Sequence, residues 1–179
     1  MNKAVFLDRD GTINKDVGYL HEKEKFEYIE GAVEGLKALQ DMGYILVIVT
    51  NQSGIARGLF TEDEYLEFER WVEEDIKSNG IAIAGSYYCP HHPEAIVSKY
   101  RVKCECRKPK TGLFWKAASE LNIDMDNSFA VGDKMRDLAI VNESGVKGFL
   151  VGENTENCAG LENITICKNI LDVSSIIGH

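Results

Sequence analysis

Two aspartates separated by one residue, Asp8 and Asp10, stand directly after the apolar run Ala4–Leu7 and are followed by Gly11 and Thr12. A carboxylate can attack phosphorus to form an aspartyl-phosphate, dividing one difficult hydrolysis into two easier steps. A second carboxyl close by can protonate the leaving oxygen and then take a proton from the water that hydrolyses the intermediate. The order suits Asp8 to the attack and Asp10 to the proton transfers. Two acids in an arbitrary loop more often cap a turn, but the preceding buried strand and the motifs that follow reverse those odds.

An anion attacking an anionic phosphate needs a counter-charge, which Mg²⁺ held by carboxylates and phosphate oxygen supplies. Asp133, in the stretch Gly132-Asp133-Lys134-Met135-Arg136-Asp137, is the natural further ligand beside Asp8 and Asp10. Asp137 reads equally well as a group supporting those ligands or as a favourable acid at a helix start. Thr50, Asn51, Gln52 and Ser53 end a second apolar run and precede Gly54, so side chains and backbone amides can approach a phosphate, with Thr50 or Ser53 in contact. Lys108 can balance charge on the transferring group and Arg107 can grip a phosphate as a planar fork.

A second constellation is made of soft ligands. Cys89-Pro90-His91 and Cys104-Glu105-Cys106 give two pairs, each spaced by one residue, in a loop spanning 89–109. Three cysteines and a histidine suit tetrahedral Zn²⁺, and four protein ligands leave no open position, so the role is structural. Spacing alone leaves His91 and His92 equivalent. Because Cys106 immediately precedes Arg107 and Lys108, such a zinc anchors the cationic segment at the crevice. Cys158 and Cys167 have no comparable neighbours and read as ordinary packing residues.

The elements that must position these groups alternate. Ala4–Leu7, Ile45–Val49, Phe129–Val131 and Phe149–Val151 are short apolar runs typical of buried parallel strands. Helical patterns run over Gly31–Met42, from the Thr61/Glu64 capping box towards Asn79, over Gly112–Leu121 after Thr111 as cap, and over Met135–Ser144. The pattern predicts an α/β fold: an open, mostly parallel, Rossmann-like sheet with helices on both faces, whose ligands bind at the carboxyl ends of the strands. The acids and the Thr50–Ser53 stretch all fall there. With 179 residues, 44% of them apolar, and no repeat or linker, one domain over 1–179 is expected.

A net charge of −9 repels polyanions, so nucleic acid is not expected as a partner. Charged residues from Asp8 onward interrupt any leader-like apolar stretch, and the run Tyr44–Val49 is far too short to span a bilayer. A cytoplasmic monomer with no membrane contact is the expectation, with thiols reduced rather than paired.

In this order, DRDGT, TNQSG, RKP and GDKMRD resemble the motifs of the haloacid dehalogenase superfamily of phosphatases, over residues 8–137. The resemblance implies Asp8 as nucleophile, Asp10 as acid/base, Thr50 and Lys108 holding the phosphate, and Mg²⁺ bound by Asp8, Asp133 and the backbone carbonyl of Asp10. It also implies a capless enzyme, since Asp10 and Thr50 are too close for an inserted domain, and it favours His91 over His92 for zinc. Within the superfamily, DRDGTIN, GY, TNQSGIARG, YYCPHHP, CECRKP and VGDK look like the bacterial heptose 1,7-bisphosphate 7-phosphatases of heptose and lipopolysaccharide biosynthesis. That likeness implies a small sugar bisphosphate substrate held by Asp16, Gly18, Tyr19, Thr50, Asn51, Gln52, Ser53, Arg107, Lys108 and Lys134, with Val17 where some members carry histidine. Histidinol-phosphate phosphatases share the catalytic and zinc motifs and are the main alternative. The interval of 92–103 between the ligand pairs, with Arg101 and Lys103 available for a second phosphate, favours the bisphosphate. A non-catalytic phosphosugar-binding protein is a third reading, weakened by the presence of both Asp8 and Asp10.

Overall fold

The computed structural model describes residues 1–152 and 162–179, so Cys158 lies outside the described residues. The strands are β1 (Ala4–Leu7), β2 (Ile45–Asn51), β3 (Ile83–Cys89), β4 (Phe129–Gly132), β5 (Lys147–Val151) and β6 (Ile164–Cys167). All pair in parallel, in the order β3-β2-β1-β4-β5-β6. The helices are α1 (Ala32–Asp41), α2 (Ser53–Ala56), α3 (Glu62–Ser78), α4 (Gly112–Glu120) and α5 (Ile170–Ile177).

Side chains alternate across a strand, and β1 shows why its four apolar residues are all needed. Val5 and Leu7 face a core completed by Leu36 and Leu39 of α1, Val72 and Ile76 of α3, and Ile170 and Val173 of α5. Ala4 and Phe6 face the other side, against Leu113, Phe114 and Ala117 of α4. There Phe6 meets Phe114 edge-on, with ring centroids 5.3 Å apart, an arrangement the ring quadrupoles favour. Helices therefore cover both faces, as the alternation implied.

The order of the strands reverses at β1, whose neighbours are β2 on one side and β4 on the other. A crevice opens at such a point beyond the strand ends because the following loops leave in opposite directions. Asp8 follows β1 there, and its amide donates to the Val131 carbonyl of β4 at 3.0 Å. The start of α3 matches its capping-box signature. Thr61 Oγ1 accepts from the Glu64 amide at 3.1 Å, while Glu64 Oε2 accepts from the Thr61 amide at 2.7 Å, a device that stabilises by about 1 kcal/mol.

Three details differ from the sequence expectation. Thr111 precedes α4 but does not cap it; its hydroxyl donates to Glu143 instead, at 2.6 Å. The segment expected as a helix over Met135–Ser144 is a 3-10 run, Met135–Asn142, which carries Asp137 close against Gly132. Strand β2 continues through Thr50 and Asn51, pairing with Tyr88 and Cys89 of β3, so that polar pair belongs to the sheet rather than to a loop.

Candidate active site

The Lys108 side chain lies buried beneath the crevice, 1% exposed. Its Nζ donates to Asp8 Oδ1 at 2.7 Å and to the Val49 carbonyl at 2.7 Å, and pairs with Asp137 Oδ1 at 2.8 Å. A buried ammonium is tolerated only when paired and hydrogen-bonded; here three chain segments supply the partners. Asn51 fixes the backbone that carries it, its amide donating to the Lys108 carbonyl at 3.1 Å and its carbonyl accepting from the Lys108 amide at 3.0 Å. Burial would lower the ammonium's pKa, but Asp8 and Asp137 outweigh it and hold Lys108 above the ordinary lysine value.

Asp8, Asp133 and Asp137 place one carboxylate oxygen each within 4.8 Å of one another. Room for them depends on two glycines. A Cβ on Gly11, which has φ +89°, would lie 2.4 Å from Asp133 Oδ2, and one on Gly132 would lie 2.2 Å from the Asp137 Cβ. The Asp8 carboxyl is pushed up to about 8, chiefly by burial, with Asp137 and Asp133 adding to the rise against the pull of Lys108. Asp133 is raised by burial and by Asp137. Its Oδ1 is buried without a hydrogen-bond partner, so the cluster has an excess of hard oxygen donors of the kind a divalent cation takes. Sequence reasoning left Asp137 between two roles; it sits in this cluster, bound to Lys108, with Oδ2 accepting from the Lys134 amide at 3.0 Å.

The Asp10 carboxylate turns to the other side. Arg9 Nη2 reaches its two oxygens at 3.2 and 3.1 Å, Asn14 donates to Oδ1 at 2.9 Å and Gln52 to Oδ2 at 3.1 Å. Gln52 also donates to Thr50 Oγ1 at 2.9 Å. Above these groups opens a cleft of about 350 Å³ lined by Asp8, Asp10, Asp16, Gly18, Tyr19 and the residues Thr50 to Gly54, together with Arg57, Arg107, Lys134 and Arg136. Every residue expected to surround a substrate lines it except Lys108, which lies under the floor and reaches the cleft only through Asp8.

The model of the polynucleotide kinase 3 phosphatase family matches residues 3–146. A D-glycero-beta-D-manno-heptose-1,7-bisphosphate 7-phosphatase of Vibrio cholerae is 52% identical over 80% of this chain and 77% of its own, and one of Pasteurella multocida is 52% identical over 77% and 74%. The chain belongs to the polynucleotide kinase 3 phosphatase family and groups with these 7-phosphatases. A D,D-heptose 1,7-bisphosphate phosphatase from B. bronchiseptica, solved with magnesium and phosphate, superposes with a TM-score of 0.84 at 28% identity, over 98% of this chain and 97% of that one.

The cysteines of the 89–109 loop close as a cluster. Cys89, His91, Cys104 and Cys106 bring their ligand atoms within 4.8 Å of one another. His91 Nδ1 lies 3.3 Å from Cys106 Sγ and 3.7 Å from Cys89 Sγ. The sulfurs of Cys89 and Cys106 are 3.0 Å apart, well beyond a disulfide bond. His92 is outside this cluster, its Nε2 3.4 Å from Arg57, so of the two histidines it is His91 that stands with the three cysteines. The His91 carbonyl accepts from Arg107 at 3.3 Å, tying the cluster to the cleft wall.

One expectation about the rim is corrected. Arg101 and Lys103 do not line the cleft; Arg101 donates instead to the Ala95 carbonyl at 2.7 Å. Arg57, at the end of the loop that opens with Gln52, and Arg136 take that place, and only the fold around it identifies Arg136. The buried Arg9 and its partner Glu69 were likewise missed, the one signal being an arginine inside an otherwise acidic motif.

Replacing the lysine with an apolar side chain leaves Asp8 facing Asp137 without a cation. Lys108→Met is therefore expected to destabilise the metal-free protein by about 3 kcal/mol. Carboxyls with raised folded-state values bind protons more tightly folded than unfolded, so their contribution is best at low pH and is lost as pH rises towards 8. The deficit, read from urea unfolding midpoints, should be larger at pH 8 than at pH 5; an equal deficit would refute the pairing.

Proposed function

We propose that the chain is a Mg²⁺-dependent phosphatase that removes the 7-phosphate of D-glycero-D-manno-heptose 1,7-bisphosphate by way of an aspartyl-phosphate on Asp8. The observation that carries it is a carboxylate held by a buried lysine at the floor of a cleft rimmed by four cationic side chains, Arg57, Arg107, Lys134 and Arg136. The names of the relatives above supply the sugar and the beta configuration in which they act on it.

An Asp8 oxygen attacks phosphorus and the bond to the sugar oxygen breaks, while Asp10 gives that oxygen its proton. Water then attacks the aspartyl-phosphate, Asp10 takes a proton from it, and phosphate leaves with Asp8 restored. Lys108 balances charge beside the attacking carboxylate, and Thr50 with the Asn51–Ser53 stretch orients the phosphoryl oxygens. Asp8, Asp133 and the Asp10 carbonyl would hold Mg²⁺, with Asp137 fixing the surrounding amide and ammonium. When bound, the ion supplies positive charge that favours the ionised form of Asp8 and offsets the phosphate's own charge.

A second phosphate explains the rim. A substrate anionic at both ends gains from four cations, whereas histidinol phosphate carries an amine that the same groups repel. Asp16 stands 3.6 Å from Lys134 and leaves three arginines for the distal phosphate. The cysteine cluster is proposed to hold structural Zn²⁺ and so to keep Arg107 in place. A single domain over 1–179, acting as a cytoplasmic monomer without nucleic acid, completes the reading; no helix among the described residues is long and apolar enough to cross a membrane.

Phosphate release with Mg²⁺ from heptose 1,7-bisphosphate and from histidinol phosphate, at matched concentrations, tests the assignment. Strong preference for the bisphosphate, with Asp8→Asn losing about a thousandfold or more in kcat, is expected. Preference for histidinol phosphate would overturn the substrate, and turnover surviving in Asp8→Asn would overturn the mechanism. Elemental analysis of purified protein should find one zinc per chain, and Cys106→Ser should lose it and raise KM more than it lowers kcat. Zinc-free protein with full activity would remove the loop from the account.

A further inference from the structure

Arg9 is the largest fully buried side chain of the described residues and is absent from every role above. Its guanidinium spans two carboxylates: Nη1 pairs with Glu69 Oε2 at 2.6 Å and Nη2 with Asp10 Oδ2 at 3.1 Å. The plane lies over the rings of Phe68 and Tyr65, at 5.1 and 5.7 Å from their centroids. The Tyr65 hydroxyl donates to the same Glu69 oxygen at 3.2 Å. Glu69 is itself 5% exposed and sits on α3.

An apolar residue of similar volume would fill this space without the desolvation cost of a buried charge pair. The charge at Arg9 therefore has its explanation in what it holds. Asn14, which is fully buried, and Gln52, 4% exposed, hold the Asp10 carboxylate from two further segments. Three donors on two oxygens leave that carboxylate no free torsion. Arg9 is the donor that reaches both, and α3 fixes Arg9.

We infer that the buried Arg9–Glu69 ion pair is a positioning device that aims the Asp10 carboxyl at the leaving oxygen. The inference rests on the phosphatase reading above. It requires no contact between Arg9 and substrate: Arg9 and Glu69 are positioning residues acting through Asp10. Their effect falls on both proton transfers of Asp10; the one to the departing oxygen is sensitive to the leaving group, while the one from water is common to every substrate. A sugar alkoxide must be protonated as it departs, whereas a nitrophenolate departs without a proton.

The test measures kcat and KM for heptose 1,7-bisphosphate and for p-nitrophenyl phosphate in the wild type, Glu69→Gln, the double variant Arg9→Met/Glu69→Leu, and Asp10→Asn as reference. The double variant replaces both charges with apolar groups, which keeps the fold from facing an unpaired buried ion. Misplacing a general acid costs about 10- to 100-fold. The double variant should lose that much in kcat/KM on the sugar bisphosphate, which reports the steps up to formation of the aspartyl-phosphate, with a much smaller loss in kcat/KM on the aryl ester. The ratio of the two kcat/KM values should move in the direction set by Asp10→Asn, and Glu69→Gln should move it the same way by less. If circular dichroism shows the double variant unfolded, Glu69→Gln decides. Equal losses of kcat/KM on both esters would overturn the inference. Wild-type protein that turns over neither ester would instead sink the phosphatase reading itself, and the inference with it.

Discussion

A lysine ammonium buried between two carboxylates and a strand carbonyl is the constraint on which the rest of the site depends. Lys108 can sit at 1% exposure only because Asp8, Asp137 and the Val49 carbonyl meet it there. Those partners come from the ends of β1 and β2 and from the 3-10 run after β4, so each strand end is pinned by a charge it cannot lose cheaply. The reversal of strand order at β1 makes the crevice, and Gly11 and Gly132 let the carboxylates approach where any side chain would collide. Sheet topology, glycine placement and charge pairing thus converge on one point.

The two clusters described here are mechanically joined. Cys106 is two residues before Lys108, and Arg107 between them holds the His91 carbonyl. Asn51 grips the Lys108 backbone at both amide and carbonyl. The cysteine loop is also braced from outside, since Glu62 of α3 accepts the hydroxyls of Tyr88 at 2.7 Å and Tyr100 at 2.8 Å. A metal in that loop would act on chemistry only through position, which is the ordinary work of a closed four-ligand zinc site. The same helix α3 carries Glu69 nearer its middle, so one element supports both the loop and the Arg9 network.

Much of this was legible in the sequence because strong local signals coincide with tertiary ones. The Ala4–Leu7 run, the Thr61/Glu64 box and the cysteine spacing each name their element with little help from the rest of the chain. Edge strand β6 and helix α5 were not read, since a four-residue run such as Ile164–Cys167 has too few positions to separate strand from helix until β5 pairs with it. Arg136 escaped for a different reason: a surface arginine carries no pattern, and only the folded cleft shows that it faces inward. Asp10 illustrates the limit of motif reading. Its place in the chain is obvious, yet the direction of its carboxylate is set by Asn14, Gln52 and an arginine anchored on a helix sixty residues away.

The central claim is that Asp8 becomes covalently phosphorylated. Rapid acid quenching of the protein with Mg²⁺ and heptose 1,7-bisphosphate radiolabelled at the 7-phosphate, followed by peptide mapping, tests it most directly. The account predicts hydroxylamine-labile label on the peptide carrying Asp8, formed at least as fast as phosphate is released. Phosphate release at the full rate with no labelled protein, or with label on another residue, would contradict it.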